Sequence, residues 1–329
     1  MPQFRTLFRC LPVAGLLAML LGPLAACSSP TKPTPDDGVP TLTCPASMTM
    51  ESKDGKPVPV SYSTPVAIGG QRPVIVTCTP ASGESFPVGS TTVQCRATDA
   101  RSRQGTCSFG VTVTAPPRIE VELFMAFGDS LTEGKPAMLQ PFDFPGSYPR
   151  ELQRMLEQRY TAQKPTVLNE AKAGRTAVEG LDDFPGLLLL HAPKAVLLME
   201  GANDIARDDG DDYVPIAAEA IEEKVLEAQG RGATVFLATL PPQVPGGKRA
   251  KGAPFVPLMN EAIREVALQT GATLVDVHKA FDGKPLGDLV GWDGLHLEPA
   301  GYLLVAETFF EEIKKKLEVE AAASGDFPR

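Results

Sequence analysis

The chain has 329 residues, of which 43% are hydrophobic and 22% are charged, a composition typical of globular proteins and not of disordered ones. This length predicts about two domains. The net charge of −9 comes from the second part, because 22 Lys and Arg stand against 34 Asp and Glu from Pro116 onward. This acidic balance argues against a nucleic-acid partner, which would require a basic face.

The first 26 residues are typical of an export signal, with two arginines followed by a short apolar run at residues 11–21. That run is too short for a membrane-spanning helix, which needs ~20 apolar residues. Residues 24–27 read Leu-Ala-Ala-Cys and resemble the bacterial lipobox, in which the cysteine is lipidated and becomes the new N-terminus. We therefore predict a signal peptide at 1–26 and a lipid anchor on Cys27. The alternative is an ordinary signal peptide with a coincidental cysteine.

The stretch after the signal bears on where the exported protein resides. Residues 27–43 are rich in Pro, Thr and Asp and show no apolar period, which predicts an extended tether. An aspartate directly after the cysteine would indicate the inner membrane, whereas Ser28 favours the outer membrane. We therefore expect an exported protein of the cell envelope that is held to the membrane by its lipid.

Residues 44–114 predict an all-β unit, because short β-branched or alternating runs are separated by Gly, Pro and Ser without a helical period. The predicted strands cover residues 58–62, 74–78, 91–95 and 109–113. The unit also contains every cysteine that follows Cys27, namely Cys44, Cys78, Cys95 and Cys107. In an exported segment they indicate two disulfides, with three possible connectivities. A metal site is the alternative, but no Cys-x-x-Cys spacing or nearby histidine supports it.

Short motifs in this unit carry a family resemblance. Cys-Pro at residues 44–45, Phe-Pro-Val-Gly-Ser-Thr-Thr-Val at 86–93, Ala-Thr-Asp at 97–99 and Cys-Ser-Phe at 107–109 resemble a hyalin-repeat (HYR) module. Such modules are immunoglobulin-like sandwiches of extracellular proteins. The resemblance implies that the first and last cysteines pair, Cys44 with Cys107, and leaves Cys78 with Cys95. A module of this kind can bind a glycan or a protein partner, and a spacer is the simpler interpretation.

From residue 118 the pattern changes to alternating strands and helices. The predicted strands are 121–127, 166–169, 195–200, 233–240 and 273–277, and the predicted helices are 148–159, 214–229, 259–270 and 300–317. Repeated units with apolar strands predict a parallel sheet covered on both faces, which is a three-layer α/β/α fold of flavodoxin-like type. We place this domain at 118–318, with a disordered tail at 319–329. Reactive groups are expected where the strands end.

Four blocks coincide with predicted strand ends or with the last loop. They read Gly-Asp-Ser-Leu-Thr-Glu-Gly at 128–134, Asn-Glu-Ala-Lys-Ala-Gly-Arg-Thr at 169–176, Gly-Ala-Asn-Asp at 201–204 and Asp-Gly-Leu-His-Leu at 293–297. In this order they resemble the GDSL or SGNH hydrolase family over roughly the last two hundred residues. One departure is Ala171, where many members have a second glycine.

The chemistry and the resemblance together suggest a role for each block. A serine where a strand meets a helix exposes its hydroxyl beside the helix N-terminus, and Ser130 needs a base to become a nucleophile. His296 is the candidate base, and Asp293 would orient its imidazole. The resemblance implies an oxyanion hole made by the backbone N–H groups of Ser130 and Gly174 and the side-chain amide of Asn203.

Other polar residues have simpler interpretations. His191 lies between a leucine run and a proline, which suggests a helix end, and His278 follows a strand, as a capping or packing residue does. Asp129 is more typical of a structural loop carboxylate than of a catalyst. The acidic residues 208–212 could suggest calcium, but their interval does not match a full calcium loop, and a solvated loop is the simpler interpretation.

Two further features could shape the pocket without a chemical role. Asp204 ends the third block, and Trp292 directly precedes the fourth. The loop at residues 241–252 follows the fourth predicted strand and carries three basic residues in an otherwise acidic domain. We expect this loop to form one wall of the acyl or leaving-group pocket, although a solvated surface loop is the alternative.

Together these features predict a lipoprotein with a β-sandwich followed by a serine esterase domain. The enzyme would cleave carboxylic esters through an acyl-serine intermediate, with no metal and no cofactor. The alternatives are a thioesterase or acyltransferase with the same triad, and a surface glycan- or protein-binding lipoprotein with an inactive hydrolase fold. Acetylated glycans, short-chain esters and lysophospholipids all remain possible substrates.

Overall fold

The computed structural model of the chain describes residues 38–135 and 146–319. The predicted signal peptide, Cys27 and most of the predicted tether lie outside the described residues, and so does the predicted tail from residue 320. Within the described ranges there is a β-rich module at residues 38–114 and an α/β domain at residues 118–319. No described helix is both long and apolar enough to cross a membrane.

The β-rich module is built around two long strands. Its strands are β1 (Thr41–Leu42), β2 (Met48–Glu51), β3 (Val58–Pro59), β4 (Ala67–Ile68), β5 (Ile75–Thr79), β6 (Ser85–Phe86), β7 (Gly89–Thr98) and β8 (Gln104–Thr114). A four-stranded sheet has the order β2-β8-β7-β5, in which only β2 runs parallel to its neighbour. In β7 the side chains of Val93, Cys95 and Ala97 are buried and alternate with exposed polar ones, as expected for a sheet with one solvated face.

Two disulfides cross-link this module. Cys44 is bonded to Cys107, and Cys78 to Cys95, which is the pairing that the HYR resemblance implies. Cys95 also lies directly opposite Cys107 in the β7–β8 register, so the two bridges are adjacent in the sheet. They link the edge strand β5 and the N-terminal segment to the long strands at the centre.

The α/β domain contains a five-stranded parallel sheet with the order β11-β10-β12-β13-β14. Its strands are β10 (Leu123–Gly128), β11 (Thr166–Asn169), β12 (Ala195–Met199), β13 (Thr234–Ala238) and β14 (Thr273–Val275), and a short β9 (Arg118–Ile119) precedes them. All five residues of β12 are buried. This continuous apolar run is what a central strand covered on both faces requires.

Helices cover both faces of the sheet. They are α1 (Ser130–Glu133), α2 (Tyr148–Arg159), α3 (Ala177–His191), α4 (Gly210–Gly230), α5 (Val256–Thr270), α6 (Val277–Ala280) and α7 (Pro299–Leu317). On one face α2 packs against α7, where the rings of Tyr148 and Phe309 stack with centroids 4.9 Å apart. On the other face α4 packs between α3 and α5. The domain is therefore the three-layer α/β/α sandwich that the sequence predicts.

Several boundaries differ from the sequence expectation. Helix α3 was not among the predicted helices, although the helix end expected at His191 is its last residue and a capping box formed by Thr176 and Glu179 marks its start. The tether was predicted to reach residue 43, but β1 already pairs with β4. The tail was predicted from residue 319, but Val319 pairs with Arg118 in the short strand β15 (Glu318–Val319). Pairing to distant segments of this kind leaves no local signal in the sequence.

The module meets the α/β domain near the amino ends of the parallel strands. The hydroxyl of Thr161, just after α2, donates to the carbonyl of Lys53 at 2.5 Å, and β9 leads into the amino end of β10. The chain enters the module at its other end, where Pro40 packs so closely on Gly105 that a Cβ there would overlap its carbonyl. Gly105 lies at the start of β8, whose eleven residues span roughly 36 Å.

Candidate active site

Ser130 is placed by a tight strand-to-helix turn. Strand β10 ends at Gly128, where a Cβ would overlap the hydroxyl of Thr132 and the carbonyl of Met199, so only glycine allows this close approach. The next residue, Asp129, caps helix α1 by accepting a hydrogen bond from the Leu131 N–H at 2.9 Å. Ser130 is therefore the first helical residue, at the carboxyl end of β10, and is 7% exposed.

The side chains of Ser130, His296 and Asp293 form one chain of hydrogen bonds. Nε2 of His296 lies 2.9 Å from Oγ of Ser130, and Nδ1 lies 2.6 Å from Oδ2 of Asp293. The other oxygen, Oδ1, accepts the N–H groups of Leu295 and His296, both at 3.0 Å. These two bonds fix the rotation of the carboxylate, so that Oδ2 must face the imidazole. The geometry is that of a nucleophile, a base and an orienting acid.

The electrostatics of Asp293 suit an orienting role. Burial by itself raises the pKa of this carboxyl, but the hydrogen bonds from the His296 ring and from two backbone N–H groups outweigh burial and leave the pKa below its ordinary value. Asp293 is therefore ionised at neutral pH. A buried anion next to Nδ1 favours the tautomer in which Nδ1 carries the proton and Nε2 is free to accept one.

The loop that carries His296 and Asp293 is closed on itself. The Gly291 N–H donates to the His296 carbonyl at 2.7 Å, and the Gly294 N–H donates to the Gly291 carbonyl at 2.9 Å. Val290 and Leu297 pair across its base. Both catalytic candidates are thus held by a rigid loop and not by a mobile one, which preorganises their contact with Ser130.

The three predicted oxyanion donors lie on neighbouring segments after β10, β11 and β12. Among the described residues, the N–H groups of Ser130 and Gly174 have no hydrogen-bond acceptor. The side-chain amide of Asn203 donates to the carbonyl of Arg175, next to Gly174, at 2.9 Å. One amide hydrogen of Asn203 is thereby used to position the side chain, and the second remains for a ligand. This arrangement can hold a developing negative charge on an oxygen.

Arg175 is a residue of this site that the sequence analysis did not single out. It is 5% exposed, and its guanidinium lies 3.6 Å above the ring of Phe127. It donates to the carbonyl of Gly128 at 2.8 Å and to that of Glu170 at 3.2 Å. The side chain therefore connects the strand end before Ser130 to the segment that carries Gly174.

A buried acid–base cluster supports the same segment from beneath. Lys224 donates to the carbonyl of Ala177, the first residue of α3, at 2.6 Å, and its Nζ lies 3.0 Å from Oε2 of Glu200. The N–H of Ala177 donates to both carboxylate oxygens of Asp204, at 3.0 and 3.1 Å. Burial raises the pKa of Glu200 to about 7, although the nearby Lys224 favours its charged form. Because both carboxylate oxygens of Asp204 accept the Ala177 N–H, Asp204 has a structural role at the start of α3.

We expect Arg175→Met to lower kcat for ester hydrolysis by about 10- to 100-fold with a small change in KM, because a shift of Gly174 weakens transition-state binding more than substrate binding. Lys172→Met is the matched control, since Lys172 lies three residues earlier, is exposed, and its Nζ lies 2.8 Å from Oδ2 of Asp183 at the surface. The kcat and KM of both variants and of the wild type are measured by steady-state kinetics, at a temperature well below the melting temperatures of the variants. Equal kcat in the two variants would remove Arg175 from the positioning of the site.

The remaining candidates lie elsewhere. His191 is the last residue of α3 and pairs with Glu170 at 2.8 Å, and His278 lies in the short helix α6, where its N–H donates to the hydroxyl of Thr239. The acidic residues 208–212 lead into the first turn of α4, where negative charge is favourable. None of these side chains takes part in the hydrogen-bond chain at Ser130.

A cleft of about 710 Å³ adjoins the loop of His296 and Asp293. It is lined by Val244, Pro245, Gly246, Gly247, Leu286, Gly287, Val290, Gly291, Trp292 and Glu298. Part of the basic loop 241–252 therefore forms one wall. Two hydrogen bonds fix that wall to the catalytic loop, from the Val244 N–H to the Gly294 carbonyl at 2.9 Å and from the Arg249 N–H to the Asp293 carbonyl at 2.8 Å.

Comparison with known proteins agrees with both resemblances. The sequence profile of the GDSL-like Lipase/Acylhydrolase family matches residues 126–304, and that of the HYR domain matches residues 35–113. Among curated proteins no sequence matches significantly.

Solved structures agree with the fold of the α/β domain. Axe2, an acetylxylan esterase from Geobacillus stearothermophilus, is similar with 22% identity and a TM-score of 0.50, over 60% of this chain and 96% of that chain. A lipase/acylhydrolase from Enterococcus faecalis is similar with 24% identity and a TM-score of 0.51, over 60% of this chain and 98% of that chain. At these identities the likeness establishes the fold alone.

Proposed function

Because the chain belongs to the GDSL-like lipase/acylhydrolase family, a family of hydrolases that act on esters, we propose that it is a serine carboxylesterase working in the cell envelope from a lipid anchor on Cys27. The observation that carries the catalytic part is the unbroken hydrogen-bond chain from Ser130 through His296 to Asp293, with distances of 2.9 and 2.6 Å. Such a chain supplies what a serine needs to attack an ester at neutral pH.

The proposed reaction has two halves. His296 takes the proton of the Ser130 hydroxyl at Nε2 as Oγ attacks the ester carbonyl, and Asp293 stabilises the imidazolium that forms. The carbonyl oxygen becomes an oxyanion held by the N–H groups of Ser130 and Gly174 and by the amide of Asn203. His296 then gives its proton to the leaving alcohol. Water, activated by the same imidazole, releases the acid and restores the serine.

A chain-length series of 4-nitrophenyl esters tests this function with the soluble protein that begins at Ser28. We expect saturable hydrolysis of the acetate, with a chain-length dependence that reports the depth of the acyl site. A purified, folded protein that hydrolyses none of the series would instead support a binding protein with an inactive hydrolase fold. Activity on thioesters alone would support a thioesterase.

The placement of the β-rich module favours a spacer role. The described chain begins at the end of the module that is remote from the α/β domain. The junction lies near the amino ends of the parallel strands, whereas Ser130 lies at their carboxyl ends. The first described residues, near Pro40, and Ser130 are therefore on opposite sides of the junction, separated by the length of β8 and by the six residues of β10. We propose that the module holds the catalytic edge away from the anchoring membrane.

The anchor itself makes a prediction. Cys27→Ala is expected to shift the protein from the membrane fraction to the soluble fraction, because the lipid is attached through that thiol. Cys10→Ala is the matched control, since Cys10 lies inside the predicted signal peptide and should leave fractionation unchanged. Fractionation after a high-salt wash separates lipid anchoring from charge-dependent adsorption. A Cys27→Ala protein that stays with the membranes would place the anchor elsewhere.

A further inference from the structure

Arg249 places a positive charge next to the orienting acid of the site. Its Nε lies 3.9 Å from Oδ2 of Asp293, the same oxygen that lies 2.6 Å from Nδ1 of His296. At this distance the guanidinium is not hydrogen-bonded to Oδ2, so it does not compete with the imidazole for the acceptor. The Asp293 side chain is 3% exposed and that of Arg249 is 65% exposed. Arg249 therefore acts on the hydrogen-bond chain through its charge.

Main-chain contacts hold this cation in place. The Arg249 N–H donates to the carbonyl of Asp293 at 2.8 Å, and the Val244 N–H donates to that of Gly294 at 2.9 Å. Between these two bonds, Gly247 approaches the catalytic loop so closely that a Cβ would lie 2.5 Å from the Asp293 carbonyl oxygen. Only glycine permits such an approach. The backbone of Arg249 is thus fixed relative to Asp293, and its side chain extends from a fixed point.

The other charged groups around the site do not have this position. Among the described residues, Arg249 is the one lysine or arginine with a nitrogen within 4.0 Å of the Asp293 carboxylate. The other titratable groups around Ser130 and the catalytic loop include three acids and a phenol, namely Asp129, Glu133, Glu298 and Tyr302. Two further cations are paired with carboxylates elsewhere, Lys135 with Glu133 at 2.9 Å and Arg175 with Glu200 at 3.5 Å.

A cation beside Asp293 opposes the positive charge that His296 acquires when it accepts a proton, because imidazolium and guanidinium then adjoin the same carboxylate. We propose that Arg249 is a positioning residue that acts by its charge, and that it keeps the imidazole neutral and able to take the Ser130 proton down to lower pH. The enzyme then hydrolyses esters in mildly acidic solution, where more of the protein would be inactive without Arg249. This inference rests on the serine esterase function proposed above.

The pH profile of kcat/KM for 4-nitrophenyl acetate measures this role. Arg249→Gln is expected to move the midpoint of the acid limb upward by roughly 0.3 to 0.6 pH unit at low ionic strength, which lowers kcat/KM about 2- to 4-fold below the midpoint. The plateau at higher pH should change little, because the imidazole is neutral there in both proteins. Arg249→Lys retains the charge and should stay near the wild-type midpoint. Lys248→Gln is the matched control, since it removes the same charge from an exposed neighbour that is not paired with Asp293.

Salt gives a second comparison. The exposed guanidinium should be screened in ~1 M salt, where the Debye length is ~3 Å, so the difference between the wild type and Arg249→Gln is expected to shrink. Burial raises the pKa of Asp129 to about 7, so this carboxyl can titrate in the same range. Asp129 is present in every protein compared, and the difference between two profiles therefore reports Arg249.

A measurement that does not depend on activity follows the imidazole of His296 by proton NMR. The chain has three histidines, and His296→Gln assigns the signal. The midpoint of its titration in the free protein should move together with the midpoint of kcat/KM. No shift in Arg249→Gln by either measurement, or an equal shift in Lys248→Gln, would overturn the proposal. Absence of hydrolysis by the folded wild type would contradict the esterase function instead, and the NMR comparison would still decide whether Arg249 acts on His296.

Discussion

Ser130→Ala is expected to lower kcat for 4-nitrophenyl acetate by at least about 10⁴-fold, because without Oγ no acyl-serine can form and His296 has no hydroxyl to activate. The variant would still hydrolyse the ester faster than the uncatalysed reaction in water, because the substitution leaves the oxyanion donors in place. A burst experiment adds a second readout, since the wild type is expected to acylate and the variant is not.

The fold should survive this substitution. Ser130 contributes one side-chain hydrogen bond, to His296, and alanine is a good residue for the first turn of a helix. The melting temperature is therefore expected to stay within a few degrees of that of the wild type. A folded Ser130→Ala protein with near-wild-type turnover would rule out the serine mechanism. If the Ser130→Ala protein does not fold, the same mechanism is tested with Ser130→Gly or by chemical modification of the wild-type serine.

The fold was predictable where local patterns agree with tertiary burial. Strand β11 and helix α2 match the sequence expectation to the residue, because an apolar run and an amphipathic period end where the packing ends. Helix α3 was not among the predicted helices, and it carries Pro185 in its interior beside the capping box at its start. Strands β1, β2, β4 and β6 of the module were also missed, since each has only two to four residues and exists through pairing with distant segments.

The hydrogen-bond chain of Ser130, His296 and Asp293 could be anticipated because these residues lie in short blocks whose spacing is independent of the loops between them. The supporting residues could not. Arg175 contacts Phe127 and Gly128, which are about fifty residues away in sequence, and Lys224 on α4 donates to the carbonyl of Ala177 on the neighbouring helix α3. No periodicity marks a buried charge, because its partners are brought together only by the packed fold. Such residues are found from burial and hydrogen-bond partners, as here.

The exposed Trp292 illustrates the opposite case. The sequence places it beside Asp293, and pattern alone cannot distinguish a buried aromatic residue from one that faces solvent. The structure resolves this because the loop between Gly291 and Gly294 is fixed by its own hydrogen bonds, which leave the indole outside. Its position relative to the basic loop 241–252 depends equally on contacts between segments that are distant in sequence.

Asp293→Asn is expected to lower kcat by about 10⁴-fold while the loop keeps its shape. The side-chain oxygen of the asparagine will accept the N–H groups of Leu295 and His296, because these two donors require an acceptor. The amide nitrogen must then face Nδ1 of His296, where it can only donate. The imidazole is forced to expose a lone pair at Nδ1 and to carry its proton at Nε2, towards Ser130, so it cannot accept the proton of the hydroxyl.

The size and pH dependence of this defect distinguish it from a loss of stability. The hydrogen bonds to Asp293 hold its pKa below the ordinary aspartate value of ~3.9, so the wild type keeps the carboxylate throughout pH 5 to 8. The loss in the variant should therefore persist across that whole range, with a KM close to that of the wild type. Asp282→Asn, which removes an exposed aspartate from the turn after α6, is the charge-matched control and should leave kcat unchanged. A loss below about tenfold in Asp293→Asn, with the protein folded, would mean that His296 obtains its tautomer and its orientation from the loop backbone alone.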